Sequence, residues 1–149
     1  MIQRLLSDLA LPVYGFYTRR IPLSDGDCRV YMHAASGEAP PILLAESMNR
    51  KMHAYAEAFN SCGVELLEAV KDDGIIVMDE LGFLESEADL FCRKVLETLS
   101  ADIPVLAAVK ASHADNPFLI RVRNHPNCLL FTVTPENREQ LYEEIKAKI

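Results

Sequence analysis

The sequence predicts an α/β fold, a three-layer sandwich in which helices cover both faces of a mainly parallel sheet. Two apolar runs, at residues 75–78 and 104–109, contain no alternation of polar and apolar side chains. Uninterrupted runs of this length are typical of strands covered on both faces, as in a parallel sheet. A third strand-like run lies at residues 128–133, and stretches with helical spacing separate the three. This alternation indicates parallel strands joined by right-handed crossovers.

The first half of the chain is predicted to contain one helix and an antiparallel hairpin. Apolar residues of the N-terminal stretch recur on one helical face, and Pro12 ends that helix. Aromatic and β-branched residues then predict a strand, and an alternating segment after a Ser-Asp-Gly-Asp turn predicts its half-exposed partner. The elements predicted here are a helix at residues 1–9, strands at 13–18 and 28–34, a loop at 36–41 and a short strand at 42–44.

Helices and strands alternate regularly in the second half. Gly63 weakens the first of these helices by about 1 kcal/mol relative to alanine, so a bend is expected there. Ser86 is predicted to cap the next helix, and Asn116 and Thr134 each precede a proline, which is typical of a helix start. The elements predicted here are helices at 55–70, 86–99, 116–124 and 134–149, and strands at 74–79, 104–109 and 128–133.

Length, charge and hydropathy limit the classes of function. A chain of 149 residues without a linker or repeat fits one domain over residues 1–149. The net charge of −7, without a basic cluster, argues against nonspecific binding to nucleic acid or anionic membranes. No apolar run approaches the roughly 20 residues of a membrane span, and no signal peptide is evident. The four widely spaced cysteines are interpreted as reduced thiols, which indicates a cytoplasmic protein.

Two adjacent carboxylates, Asp79 and Glu80, end the first of the apolar strands. Ligands of open α/β sheets collect in the crevice beyond the carboxyl ends of the strands, which places this pair at the lip of the crevice. An aspartate there suits Mg²⁺, which prefers oxygen ligands, and a neighbouring glutamate suits the polarisation of an attacking water. A buried strand that simply ends in two solvated acids is the alternative explanation of the same residues.

Four stretches of the chain together match one pattern. They are residues 13–19 (VYGFYTR), 74–85 (GIIVMDELGFLE), 104–109 (PVLAAV) and 130–138 (LFTVTPENR). Their order and spacing resemble the THEP-type nucleoside triphosphatases, whose pattern has an early GFYT strand, a DEIG-x-ME Walker B segment and a TPENR before the last helix. Here Leu84 stands where methionine is usual, and residues 20–52 match poorly. The resemblance implies a P-loop NTPase-like fold that hydrolyses a nucleoside triphosphate to the diphosphate and phosphate. It further implies that Asp79 is the metal-site residue, in the second coordination shell of Mg²⁺, and that Glu80 is the catalytic residue orienting the attacking water.

Three cations are the candidate contacts for the nucleotide under this resemblance. Arg19, followed by Arg20, leaves the early strand and could reach phosphates. Lys110 follows the strand at residues 104–109, at the same carboxyl edge as the acidic pair. Arg138 lies in the TPENR match and is a candidate for the base or ribose. A solvated side chain remains the alternative for each of them, and Arg138 has a further alternative in an ion pair with a neighbouring glutamate.

The phosphate-binding loop of the family pattern is absent. The sequence contains no G-x-x-x-x-G-K-[ST] motif and no Gly-Lys dipeptide. Backbone N–H groups of that loop wrap the β-phosphate, and its lysine neutralises charge on the transferred group. The first strand and the loop are therefore expected to be missing, and hydrolysis to be impaired or lost.

Truncation of a longer NTPase is the favoured explanation of that absence. Closure of the gap by neighbouring strands, or a second chain filling it in a homodimer, are the alternatives. A non-catalytic nucleotide-binding or assembly module is the alternative function.

Overall fold

A computed structural model describes residues 1–113 and 115–149. The strands are β1 Val13–Pro22, β2 Cys28–Ala34, β3 Ile42–Met48, β4 Lys51–Ala54, β5 Ile75–Leu81 and β6 Val105–Val109. The helices are α1 Ile2–Leu9, α2 Ala56–Ala58, α3 Val64–Glu68, α4 Asp89–Leu99, α5 Pro117–Arg123 and α6 Arg138–Lys146. None of the helices in this part of the chain has the length and apolar character needed to span a bilayer.

The six strands form one mixed sheet in the order β4-β3-β2-β1-β5-β6. β1 pairs in parallel with β5, and β5 pairs in parallel with β6. The first four strands pair antiparallel in chain order, which includes the predicted hairpin of β1 and β2. The α/β prediction is confirmed, with its parallel character confined to β1, β5 and β6. The short connections between the first four strands leave no room for the long crossovers that parallel pairing needs.

Helices cover both faces of the sheet and complete the three layers. On one face, α2, α3, α4 and α5 pack against β1, β2, β3 and β5 in the main core. On the other face, α1 and α6 bury Leu5, Tyr142 and Ile145, with Leu106 of β6 and Phe131 packed against them. The carboxyl ends of the parallel strands therefore lie between two helical layers.

The predicted helix at residues 55–70 is present, but a π-helical turn, Phe59–Gly63, interrupts it. This turn ends at Gly63, where the bend was expected. A Cβ atom on Gly63 would lie 2.8 Å from Cδ2 of Phe91 in α4, so the missing side chain lets the two helices approach closely. The Phe91 ring in turn lies 5.3 Å from that of Phe59 and 5.6 Å from that of Phe16, measured between centroids.

The strand predicted at residues 128–133 is wrong, because this segment has no strand pairing. β6 is the edge of the sheet, and no described residue pairs with its outer side. An apolar run without a neighbour cannot form a hydrogen-bonded ladder. Leu129 and Leu130 are consequently 68% and 61% exposed. All five residues of β6 are only partly buried, although the apolar run indicated cover on both faces.

Two predicted helix starts are also wrong. α4 begins at Asp89, and Ser86 does not cap it. The Ser86 hydroxyl instead donates to a carbonyl oxygen of the preceding turn, at 2.6 Å. α6 begins at Arg138 and not at Thr134. The backbone N–H of Thr134 donates to Oδ1 of Asn137 at 2.8 Å, and this turn occupies the residues before the helix.

Candidate functional site

Asp79 and Glu80 lie at the rim where the parallel strands end. Asp79 pairs with Tyr17 of β1 on one side and with Ala108 of β6 on the other. Because the three strands run in the same direction, their carboxyl ends meet at this rim. Ligands of open α/β sheets bind at such rims, so the two carboxylates stand where this class of fold places its chemistry.

The Asp79 carboxyl is partly buried in an environment that disfavours its charge. Burial raises the pKa of Asp79 above its ordinary value, and the negative charge of Glu80 raises it further. The α-amino group of the chain acts in the opposite direction and lowers it. A cation bound beside Asp79 would relieve this penalty, because an opposite charge favours the ionised carboxylate.

Glu80 occupies an irregularity in β5. The pairing of β5 with β6 shifts register between Asp79 and Leu81, which leaves Glu80 as the extra residue. Bulges of this kind turn a side chain out of the ladder and are frequent beside active sites. Oε1 of Glu80 lies 3.3 Å from Nζ of Lys110, and both side chains are more than two-fifths exposed. An ion pair at this exposure contributes about 0–1 kcal/mol, so either partner is readily exchanged for a ligand.

A buried glutamate holds the turn that follows β5. Oε1 of Glu85 accepts a hydrogen bond from the backbone N–H of Gly82 at 2.6 Å, and Glu85 is only 3% exposed. Burial raises the pKa of Glu85, the Gly82 bond lowers it, and the nearby charge of Glu80 raises it again. Sequence reasoning quoted Glu85 only as part of a matched motif. Its spacing of three residues after Gly82 was the local signal of a side chain that closes this turn.

β1 extends beyond β5 at the rim and carries two arginines. Its pairing with β5 ends at Tyr17, so the next five residues pair only with β2. Successive side chains of a strand point to opposite faces, which separates Arg19 from Arg20. Arg20 lines a cavity together with Glu80 and Lys110, and Arg19 does not. Sequence reasoning chose Arg19 as the nucleotide contact, because nothing local distinguishes the two faces of an exposed strand end.

Arg138 lies apart from this group. It is the first residue of α6, in the helical layer that α6 shares with α1. Its neighbour Glu139 forms a 2.7 Å ion pair with Arg4, so the alternative pairing of Arg138 with Glu139 is replaced by a contact between helices. Among the described residues, no hydrogen bond or ion pair joins Arg138 to Glu80 or Lys110.

Comparison with known proteins decides the family. A sequence model of the NTPase family, described as NTPase, matches residues 1–146. The chain belongs to the NTPase family. Nucleoside-triphosphatase THEP1 of Methanocaldococcus jannaschii is 34% identical over 151 residues, which cover 97% of this chain and 84% of that protein. Nucleoside-triphosphatase THEP1 of Thermofilum pendens is 30% identical over 96 residues, which cover 64% of this chain and about half, 53%, of that protein.

A solved structure extends the comparison to the fold. The crystal structure of THEP1 from the hyperthermophile Aquifex aeolicus matches with a TM-score of 0.74 and 20% sequence identity, over 97% of this chain and 87% of that chain. At this identity the likeness concerns the fold, and it confirms the expected P-loop NTPase-like architecture. The family resemblance drawn from the sequence is likewise confirmed.

NTPase family membership implies a divalent cation as cofactor, and the rim of this chain fits one. Cations such as Mg²⁺ are held through one or two carboxylates together with water and substrate phosphates, and seldom by an all-protein cage. Within residues 1–113 and 115–149, no three His, Cys, Asp or Glu side chains group to hold a metal alone. The Asp79 carboxyl at the rim is a donor of the kind that such a cation uses together with water and phosphate oxygens.

Replacement of Glu85 by glutamine in this NTPase-family chain is expected to raise Tm at pH 7 by about 2–4 °C, or roughly 1 kcal/mol for a domain of this size. Glutamine keeps an oxygen for the Gly82 N–H and has no charge to bury. Folding raises the pKa of this carboxyl, so its contribution to stability is fully present below the unfolded-state pKa of about 4.3. That contribution is lost as the pH rises through the pKa of the folded state. The Tm difference should be smallest near pH 4 and grow toward pH 7, in thermal unfolding followed by circular dichroism.

Glu87 offers the matched control for this prediction. It lies two residues further on and is exposed. Glu87→Gln should leave Tm within about 1 °C of the parent at every pH, since exposed substitutions usually change stability by under about 0.5 kcal/mol. A Glu85→Gln effect that stayed constant with pH would contradict the assignment of a raised pKa to this carboxyl.

Proposed function

We propose that the rim formed by Asp79 and Glu80 handles a nucleoside triphosphate with its Mg²⁺ ion, for hydrolysis to the diphosphate and phosphate. The observation that carries the proposal is the pairing of a partly buried aspartate with a bulged, exposed glutamate at the end of β5. The relatives named nucleoside-triphosphatase support the choice of substrate class. The protein is proposed to act in the cytoplasm, in keeping with its cysteines, all of which are free.

Each rim residue has a distinct role in this proposal. Asp79 offers its oxygens to the cation, whose charge would favour the ionised form of this carboxyl. Glu80 accepts a hydrogen bond from the attacking water and takes its proton. Lys110 holds the Glu80 carboxylate in place through their 3.3 Å ion pair before the substrate arrives. Arg19 and Arg138 remain candidate contacts for the more distant parts of the nucleotide.

The phosphate cradle is the missing part of the proposed site. No G-x-x-x-x-G-K-[ST] loop occurs in the sequence, so we propose that hydrolysis by this polypeptide alone is impaired or absent. β6 is the edge of the described sheet, segment 128–133 is unpaired, and Leu106 and Phe131 from these two stretches pack against the same cluster, which supports a proposed gap in the sheet. A strand carrying the loop, from outside residues 1–149, is proposed to fill this gap. A second copy of the chain is the alternative supplier.

Glu80→Gln tests the catalytic role. The experiment uses two forms, the chain itself and a form extended ahead of Met1 by an apolar strand and a G-x-x-x-x-G-K-[ST] loop. Phosphate release from ATP and Mg²⁺ is expected to be near background for the chain and measurable for the extended form. Glu80→Gln in the extended form should lower the rate by about 100-fold or more, the range of general-base contributions, and leave nucleotide binding largely intact.

Arg93→Gln, in α4, serves as the surface control in the extended form and should retain the full rate. Hydrolysis by the extended Glu80→Gln form at the parent rate would remove Glu80 from the mechanism. A non-catalytic nucleotide-binding or assembly module is the second candidate, favoured by the missing loop motif. It predicts nucleotide binding by titration calorimetry without phosphate release from the extended form.

A further inference from the structure

A small cavity opens beside Glu80 on the face of the sheet covered by α2 to α5. Its volume is ≈ 150 Å³. The floor is apolar, because Val30, Leu44 and Phe59 line it and all three belong to the main core. The three side chains are at most 8% exposed. The inner wall of the cavity therefore belongs to the hydrophobic core, and the cavity is not a shallow groove between surface side chains.

The mouth of this cavity carries charge. Lys110 and Glu80 line it as an ion pair, and Arg20 lines it without an ion-pair partner among residues 1–113 and 115–149, so one cation is available to an anionic ligand. Glu85 also lines the cavity; it is 3% exposed, and its Oε1 accepts the hydrogen bond from the backbone N–H of Gly82. A ligand that complements this site has a single negative charge at one end and an apolar body at the other.

The volume limits the size of the ligand. A water molecule occupies about 30 Å³ of liquid, so the cavity equals about five waters. A whole nucleotide is too large for this space, whereas a carboxylate with a short alkyl chain fills it.

We propose that this cavity binds a small organic monoanion, a short-chain carboxylate whose charged group lies between Arg20 and Lys110 and whose chain packs on the apolar floor. The carboxylate competes with Glu80 for Lys110, so binding separates the ion pair between these two residues. The proposal does not rest on the proposed hydrolytic function, because the cavity exists whether or not the rim holds a nucleotide.

Methyl NMR of the full chain tests the proposal with three probes: butyrate, 1-butanol and inorganic phosphate. Butyrate is expected to shift the methyl signals of Val30 and Leu44 saturably, with a Kd of about 1–10 mM for so small a ligand. 1-Butanol lacks the charge, and phosphate lacks the apolar chain. Each should bind at least about fivefold more weakly, the loss expected for one partly exposed ionic contact or a few buried methylenes.

Two neighbouring arginines provide matched variants on one strand. Arg20→Gln should weaken butyrate binding by about fivefold, and Arg19→Gln, on the opposite face, should leave it unchanged. Absence of a saturable shift at about 50 mM butyrate, well above the expected Kd, would overturn the proposal. Equal binding of 1-butanol, or equal weakening by the two arginine variants, would also overturn it.

Discussion

Replacement of Phe91 by alanine is expected to lower the free energy of unfolding by about 3–5 kcal/mol, the range for deleting a fully buried aromatic ring. Phe91 is 0% exposed, and its ring contacts Phe16 of β1 and Phe59 of the π-helical turn. Gly63, against which the ring packs, has no side chain that could move into the space left by the deleted ring. Tm should fall by about 10 °C, and urea unfolding at equilibrium measures the free energy directly.

Leu90 is the control on the same helix. Its side chain is 54% exposed, and Leu90→Ala keeps the helix while removing apolar atoms from the surface and not from the core. The expected loss is below about 0.5 kcal/mol, as for most surface substitutions. A Phe91→Ala loss no larger than that of Leu90→Ala would mean that this ring does not join α4 to the sheet.

Local chemistry explains which elements were predictable. The apolar run of β5 and the Asn116-Pro117 start of α5 carry their signal within a few residues. Oδ1 of Asn116 accepts a hydrogen bond from the backbone N–H of Leu119 at 3.1 Å, the cap that the sequence indicated. β4 was missed because a short edge strand with the sequence Lys-Met-His-Ala has no apolar periodicity to detect.

Pairing partners explain the largest error. The run at residues 128–133 has the composition of a strand, and composition does not reveal whether a neighbouring strand exists. The absence of the loop motif does not weaken the strand signal of this run, which lies in its composition. A strand is a property of a pair, and among the described residues neither the outer side of β6 nor this segment has a pairing partner, so the segment forms no ladder.

The sequence predicts only those residues of the candidate site that are adjacent in the chain or that follow a predicted strand. Asp79 and Glu80 are adjacent in sequence and end a strand, so the rim follows from the order of the chain. Lys110 also follows, since it ends the neighbouring strand. The cavity depends on the register of β1 against β5 and on which face Arg20 occupies, and a one-residue change in register would exchange Arg20 for Arg19.

Replacement of Gly15 by alanine is expected to cost about 2–5 kcal/mol, from the positive φ and from overpacking together, and its effect reaches the rim. Gly15 has a φ of +87°, which alone costs a residue with a Cβ about 1–2 kcal/mol. The added Cβ would also lie 2.2 Å from the carbonyl oxygen of Val77, the residue that pairs with Gly15 in β5. β1 must then move away from β5, and the pairing of Tyr17 with Asp79, two residues further on, moves with it.

Replacement of Gly37 separates the cost of a positive φ from the cost of the close approach between β1 and β5. This glycine has a φ of +75° with no heavy atom within 4 Å of an added Cβ, so Gly37→Ala carries the conformational cost alone. Its expected loss is about 1–2 kcal/mol in urea unfolding. The Gly15→Ala variant should also change the amide NMR shifts of Asp79 and Glu80, whereas Gly37→Ala should not. Equal losses of stability in the two variants would show that the close approach of β1 to β5 does not depend on a missing side chain, and that the rim is held by other contacts.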